Sequence, residues 1–442
     1  MESDAPLGWP GVVHREGGTL MRVAEKPDEE RRGPATKSGG AFLNPAMAGS
    51  RTRSVLLLQH AIESGMLGDG TIYALDGLAS TGVRARRWLN ELPPESAERL
   101  DVVMGDLDGE SLSWARSNHL EFPPSHGKGE LNAVRGDLRA MVLNHGRHWV
   151  DIDPYGSPVP FLDTAVQSLA RGAVIEVSAT DTAALTGSSK GPLLRRYGAR
   201  VRTDGLAHDS ALRVLLATLA RTAAKHDRAI VPLMSIWDSH HLRVSARTIK
   251  RKGAASDVED NLGWRVYSPS ADEVEASIAA GLHPETSLEI LPMNCMLPLS
   301  HPVTRDDSRV SGPLWVGNMG DEGAMSSMTE ERALSLCTAP YDSEDVAGWS
   351  EKDFEREARR VSRSVRNLEE ESRVIDSPHH IVVDDLSSWL EMPGPPSPRL
   401  LADCLEERGF KAGLTHYGNP SIRTDAPWDV VAGGALSLQP PM

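Results

Sequence analysis

Cysteine is scarce in this chain: Cys295, Cys337 and Cys404 are the only three in 442 residues. They stand far apart, so neither a disulfide framework nor a cysteine pair at metal-ligand spacing is readable, and no metal is expected. A reducing, cytoplasmic setting fits that usage. No apolar run approaches the length of a bilayer span, so no membrane association is expected. The stretch Met1–Pro10 has no basic segment followed by an apolar core, so no signal peptide is read. An excess of positive charge is also missing. With 47 Lys and Arg against 62 Asp and Glu, the formal charge is −15. That is a poor global match to a polyanionic partner, although local patches override net charge.

What is present is ordinary for a globular protein: 40% hydrophobic and 25% charged residues. The length suggests two domains. Gly11 to Val23 alternates enough for a short hairpin, and Glu25 to Gly40 reads as a charged, glycine-rich loop. Strand and helix patterns then alternate. Strands are expected at 71–75, 100–104, 131–134, 148–152 and 172–178, with helices at 54–64, 82–92, 109–120 and 160–170. Such alternation predicts a parallel sheet covered on both faces. A helix at 210–226 precedes two further strands, 229–236 and 241–248, whose short polar turn predicts an antiparallel hairpin. Lys250-Arg251-Lys252-Gly253 looks like a domain edge. The remainder is more polar, with a charged helix expected at 351–373, its face near Arg359 solvated, and an apolar-periodic helix at 398–408.

Four consecutive strands end in aspartate: Asp76, Asp106, Asp137 and Asp153. One such aspartate is commonly a helix cap. Four in register, each after a strand, point to a ligand site, because ligands of doubly wound sheets sit at the carboxyl ends of the strands. The first loop, Asp76-Gly77-Leu78-Ala79-Ser80-Thr81-Gly82, has small residues that admit a ligand to the backbone. It lacks the GxGxxG spacing of dinucleotide sites, which argues against a nicotinamide-dependent dehydrogenase. Asp106 is placed to accept from ribose hydroxyls. Asp137 can accept from an adenine amine or cap the helix after it. The segment Asp151-Ile152-Asp153-Pro154-Tyr155-Gly156-Ser157-Pro158 is the strongest local signal. Amino-group methyltransferases carry an acid or amide, then proline, then an aromatic at this place. An acceptor such as Asp153 holds the N–H bonds of an exocyclic amine and aims its nitrogen, while an aromatic face stacks the base.

These stretches resemble the tRNA (guanine-26) N2-dimethyltransferase family. The likeness rests on Phe42-Leu43-Asn44-Pro45-Ala46-Met47 with Arg51 and Ser54-Val55, on Leu75-Asp76 through Gly82-Val83-Arg84-Ala85, and on Asp151 through Asp163. It continues in Ser178 through Ala183, His240 through Val244, Gly312 through Gly317, Thr415-His416 and Ile422 through Pro427. The resemblance implies S-adenosyl-L-methionine as cofactor and tRNA as partner, with methyl groups placed on N2 of guanine 26. It implies a class I methyltransferase (Rossmann-like) α/β sheet with a terminal antiparallel hairpin, plus a C-terminal α/β domain. Carried over by residue, Asp153 is the acceptor, Tyr155 and Phe42 sandwich the base, and Arg51, Asp76, Asp106 and Asp137 hold the cofactor. Arg51 would do so through the methionine carboxylate. The chain departs from the family pattern at Leu43, Ala46 and Ser50-Arg51-Thr52, and in lacking paired cysteines in its C-terminal part.

The implied organisation is an N-terminal extension, 1–40, a methyltransferase domain, 41–253, and a tRNA-orienting domain, 254–442. Rival readings are a tRNA-binding protein without catalysis and an N2-guanine methyltransferase with another target position. For an acidic protein to hold tRNA, several basic groups should line one face near Asp153. The candidates are Arg51 and Arg53; Arg84, Arg86 and Arg87; Arg195, Arg196, Arg200 and Arg202; and Lys250 to Lys252. His416 and Arg423 should add contacts. His240 and His241 point to opposite faces if they lie on a strand, which argues against a metal pair.

Overall fold

The computed structural model describes residues 5–27, 43–124, 130–304 and 306–439. Its first strands, β1 (Val12–Glu16) and β2 (Thr19–Val23), form the expected antiparallel hairpin. The helix Ala48–Glu63 starts earlier than the apolar periodicity suggested, because Asn44 caps a preceding turn by accepting from the Ala46 amide at 3.1 Å.

The main sheet contains β3 (Ile72–Asp76), β4 (Leu100–Asp106), β5 (Glu130–Arg135), β6 (Arg147–Ile152), β7 (Leu169–Ala179), β8 (Arg228–Asp238) and β9 (His241–Lys250), in the order β5-β4-β3-β6-β7-β9-β8. β3 pairs parallel with β4 and β6, β4 with β5, and β6 with β7. Ile72, Ala74, Leu75, Trp149, Val150, Ile175 and Val177 are fully buried in these strands. Continuous apolar strands are what two covered faces demand. The order runs outward from β3 to β5 on one side and from β6 to β7 on the other, so the chain reverses direction between β3 and β6. Ligands bind at that kind of junction. Asp76 and Asp151 are register partners across it.

A three-stranded antiparallel sheet follows, with β10 (Leu262–Tyr267) between β11 (Asn294–Pro298) and β12 (Val310–Trp315). Another has β15 (Ser421–Thr424) between β13 (His379–Val382) and β14 (Ala412–Leu414). The last sheet packs on an apolar cluster that includes Ile381, Leu386, Leu401, Leu405, Ile422, Trp428 and Val431. The expected charged helix is two pieces, Glu351–Ser364 and Leu368–Ser372, broken where Asn367 takes φ of 65°. Its first piece exposes Arg359 but buries Phe354, Glu357 and Val361, so only one side is solvated.

The chain divides into two units. One holds residues 1–178, 246–249 and 327–366; the other holds 179–245, 250–326 and 367–442. A cut near Gly253 therefore removes part of the first unit. Within it, Glu357 accepts from the Gly17 amide at 2.7 Å and the Ser364 carbonyl accepts from Arg53 at 2.8 Å. No helix among the described residues is long and apolar enough to cross a membrane.

Candidate active site

The parallel strands of the first unit bring Asp76, Asp106, Asp137 and Asp153 to one edge of the sheet, at or just beyond the ends of β3, β4, β5 and β6. Asp76 is buried and accepts from the Ala85 amide at 3.3 Å. Burial and the facing Asp151 push its carboxyl up to about 7, against the pull of Arg84. Asp106 uses one oxygen to accept from the Ser80 amide at 3.0 Å and the other from the Asp108 amide at 2.9 Å. These bonds fix the loops after β3 and β4 around one carboxylate. Gly82 completes the first loop at φ of 69°, where a Cβ would lie 2.4 Å from the Met104 sulfur. Only glycine meets both demands.

Asp137 caps the short helix Leu138–Met141 through the Arg139 amide at 2.8 Å. Its carboxylate also takes a two-pronged bond from the exposed Arg139 guanidinium, at 2.9 and 2.6 Å. Those bonds hold its pKa down to about 2. The capping reading is thus the one the geometry displays, with the side chain still at the sheet edge.

Arg84 is the residue that sequence reasoning underrated. Its side chain is buried; Nη2 donates to Asp153 Oδ2 at 2.6 Å and Nε lies 3.1 Å from Asp151 Oδ2. One guanidinium thus serves three acids, because it also faces Asp76. The signal was legible: an arginine in the helix after the first ligand loop, beside strand ends rich in aspartate. Asp153 keeps a partly open side chain, and Tyr155 beyond it is 65% exposed. Partial desolvation, with Asp106 and Asp153 nearby, raises the Tyr155 pKa. An exposed ring beside an acceptor is suited to stacking a planar group. Phe42 lies outside the described residues.

Arg51 is buried in the first helix and donates to both Glu16 carboxylate oxygens, Nε at 2.6 Å, and to the Asn44 carbonyl at 2.9 Å. Burial works to raise the Glu16 pKa, but Arg51, Arg87 and Arg360 outweigh it and hold the group well below the usual carboxylate range. Arg87 also grips Glu91 with bonds of 2.7 Å each. Arg51, Arg53, Arg84, Arg86 and Arg87 are all at least nine-tenths buried. The expectation that they line an open basic face is therefore corrected: they are spent on internal carboxylates and carbonyls.

The same correction applies to Arg423 and His416 in the second unit. Arg423 is buried and donates to Asp209 at 2.8 Å and Glu371 at 3.3 Å, while His416 Nδ1 meets Glu371 at 2.7 Å. Asp209 also accepts from Arg213 at 2.6 Å and from the Tyr417 hydroxyl at 3.1 Å. The Thr415-His416 and Ile422-to-Pro427 stretches thus build a buried ion network. His241 is buried at the start of β9, while the half-exposed His240 lies in the turn before it, so strand alternation does not govern the pair. Among the described residues no group of His, Cys, Asp or Glu is arranged to hold a metal ion.

Residues 21–433 match the family described as N2,N2-dimethylguanosine tRNA methyltransferase. The chain is 28% identical to the tRNA (guanine(26)-N(2))-dimethyltransferase of Aeropyrum pernix over 90% of its length and 89% of the relative's. It is 32% identical to the protein of the same name from Pyrobaculum aerophilum, over 72% of this chain and 76% of that one. Its fold matches Trm1 from Pyrococcus horikoshii, solved with S-adenosyl-L-methionine, at a TM-score of 0.72 and 24% identity, covering 96% of this chain and 99% of the other.

Proposed function

The chain belongs to the N2,N2-dimethylguanosine tRNA methyltransferase family, and from that premise we propose how its residues methylate N2 of guanine 26 in tRNA. The observation that carries the reading is the family match across nearly the whole chain, on a sheet whose switch point gathers Asp76, Asp106 and Asp153.

The donor set fits S-adenosyl-L-methionine. Asp106 has an acceptor oxygen on each side for ribose hydroxyls, and Asp137 stands at the next strand end, where an adenine amine would be met. Asp76 and the backbone of Gly77 to Gly82 form the floor. Arg51 would reach a carboxylate only by sharing its guanidinium with Glu16. The bound cofactor supplies an electrophilic methyl group.

This chain's own work is to present the nucleophile. The guanine amine is a weak nucleophile, because its lone pair is delocalised into the ring. Asp153 accepts from the amine N–H and orients the nitrogen. As methyl transfer places positive charge on that nitrogen, the carboxylate stabilises it. Arg84 donates to Asp153 at 2.6 Å and so fixes its rotamer, and Tyr155 stacks the flipped base. The proton left on the nitrogen passes to Asp153 or to water.

The test is methyl transfer to unmodified tRNA followed by mass-spectrometric mapping of the modified nucleotide. Methyl groups on N2 at position 26 support the reading, and Asp153→Ala should abolish them while cofactor affinity holds. Methylation elsewhere, or none by a folded protein, overturns it.

A further inference from the structure

The second unit carries an aromatic pocket that the methyl-transfer residues do not use. Arg202, Asp204, Tyr267, Asp385 and Trp389 are among the residues lining a cavity of 220 Å³. The Arg202 guanidinium sits 4.2 Å from the centre of the Tyr267 ring. Tyr267 meets Trp389 edge-on, with centroids 6.0 Å apart. Trp389 is fixed in place by donating to the Leu291 carbonyl at 3.0 Å.

The two acids of the pocket differ. Asp204 is committed, accepting from the buried Arg265 at 2.9 and 3.0 Å. Asp385 is exposed, and its Oδ2 rests over Gly205, where a Cβ would come within 2.1 Å. The carboxylate thus has its close approach to the backbone because residue 205 is glycine. The segment leading into the pocket is basic. Arg195 and Arg196 are exposed and Arg200 half-exposed. Asp181 anchors that segment through Arg196 at 2.9 Å and the Tyr197 hydroxyl at 2.8 Å.

Each feature selects a ligand property. Aromatic faces with a stacked arginine take a flat π-system. A carboxylate with two acceptor oxygens takes neighbouring donors on one edge and repels phosphate. Among nucleobases, guanine presents such an edge in N1–H and the N2 amine. The volume is below the roughly 300–1,000 Å³ of an enclosing small-molecule site and suits one base. The arginines beside it suit the phosphates on either side.

We infer that this pocket docks an unpaired guanine of tRNA other than the one methylated, with Tyr267 and Trp389 as stacking walls and Asp385 reading the base edge. The inference rests on the tRNA reading above. The experiment measures binding of an unmodified tRNA transcript to the full-length wild type, Asp385→Ala and Trp389→Ala, with cofactor affinity and thermal midpoint as controls. Loss of one stacked or edge-bonded base is expected to lower tRNA affinity roughly 5- to 100-fold, leaving cofactor affinity unchanged. Transcripts partly substituted with inosine, which lacks the N2 amine, are then sorted into bound and unbound pools. Wild type should exclude inosine at one position outside 26, and Asp385→Ala should not. Asp385 is exposed, so its variant decides the matter even if Trp389→Ala does not fold. Wild-type affinity in folded Asp385→Ala overturns the inference, as does an inosine pattern identical to wild type. A wild type that methylates no tRNA removes the tRNA reading itself, a distinct result.

Discussion

Replacing Arg84 by alanine strikes the centre of the active-site arrangement. Arg84 stands among Asp76, Asp151 and Asp153, and its side chain is only 5% exposed. Its bond to Asp153 at 2.6 Å and its contact with Asp151 at 3.1 Å are charge-assisted. Such a bond is worth about 1.5–3 kcal/mol, and removing one partner of a buried pair costs about 3–5 kcal/mol. Asp153 is partly open to water, which screens its share, so about 3 kcal/mol is the working figure. At about 2–4 °C per kcal/mol, the first-unit transition should fall by about 6–12 °C. Catalysis should suffer separately. Loss of the Arg84 bond loosens the Asp153 rotamer, and misplacement of about 1 Å can cost about 100-fold in rate. The assay is single-turnover methyl transfer at saturating cofactor and tRNA, below the lowered melting point. Arg84→Lys should recover charge but not the two-pronged geometry, giving an intermediate rate. An Arg84→Ala rate within about twofold of wild type would refute the claim that Arg84 positions Asp153.

Other outcomes follow from the same geometry. Asp106→Ala should weaken S-adenosyl-L-methionine binding by about 1.5–3 kcal/mol in calorimetry; unchanged affinity would place the ribose elsewhere. Asp76 has its carboxyl raised to about 7, so the folded state binds its proton more tightly than the unfolded chain. Its contribution is fully present below the ordinary carboxylate range and is lost as pH rises through about 7. Asp76→Asn should flatten that decline in melting experiments, and an unaltered pH profile would contradict the assignment. Arg423→Ala should destabilise the second unit by about 3 kcal/mol, seen as a lowered denaturation midpoint, because it removes the buried cation shared by Asp209 and Glu371, which retain Arg213 and His416 as partners. A variant as stable as wild type would show that the network is dispensable.

The aspartates were readable because they combine two signals, apolar β-strands and an acid at each carboxyl end. The parallel sheet followed from alternation alone. Arg84 was harder to find, since its role depends on the pairing of β3 with β6, which places Asp76 opposite Asp151. The fate of the arginine clusters was not legible at all. Arg86 and Arg87 look like a basic surface in sequence, yet Arg86 donates to the Leu20 and Phe122 carbonyls and Arg87 to Glu16 and Glu91. Composition cannot tell a solvated guanidinium from one that ties loops to a helix, because both suit an amphipathic stem with a charged head. The helix break at Asn367 was missed for a related reason: a left-handed asparagine leaves a weak mark in a run of charged residues.

This redistribution sharpens the question of how an acidic protein holds tRNA. The formal charge is −15, and Arg51, Arg53, Arg84, Arg86 and Arg87, the clustered arginines of the first unit, are buried. Of the basic groups the sequence singled out, Arg195, Arg196, Lys250, Arg251 and Lys252 are exposed, with Arg200 and Arg202 half-exposed. All of these lie in the second unit. If they carry the phosphate contacts, tRNA affinity should fall steeply with salt, at roughly 0.7–0.9 log units per contact for each tenfold rise. Arg195 and Arg200 are modest choices for removal. Arg195 has no role in the buried networks, and Arg200 faces the exposed Asp306 at 3.6 Å. Arg195→Ala with Arg200→Ala should reduce the slope by about 1.4–1.8 while cofactor affinity is unchanged. A double variant with the wild-type slope would move the phosphate contacts off this segment, and the wild-type slope itself would then have to be traced to Lys250, Arg251 and Lys252.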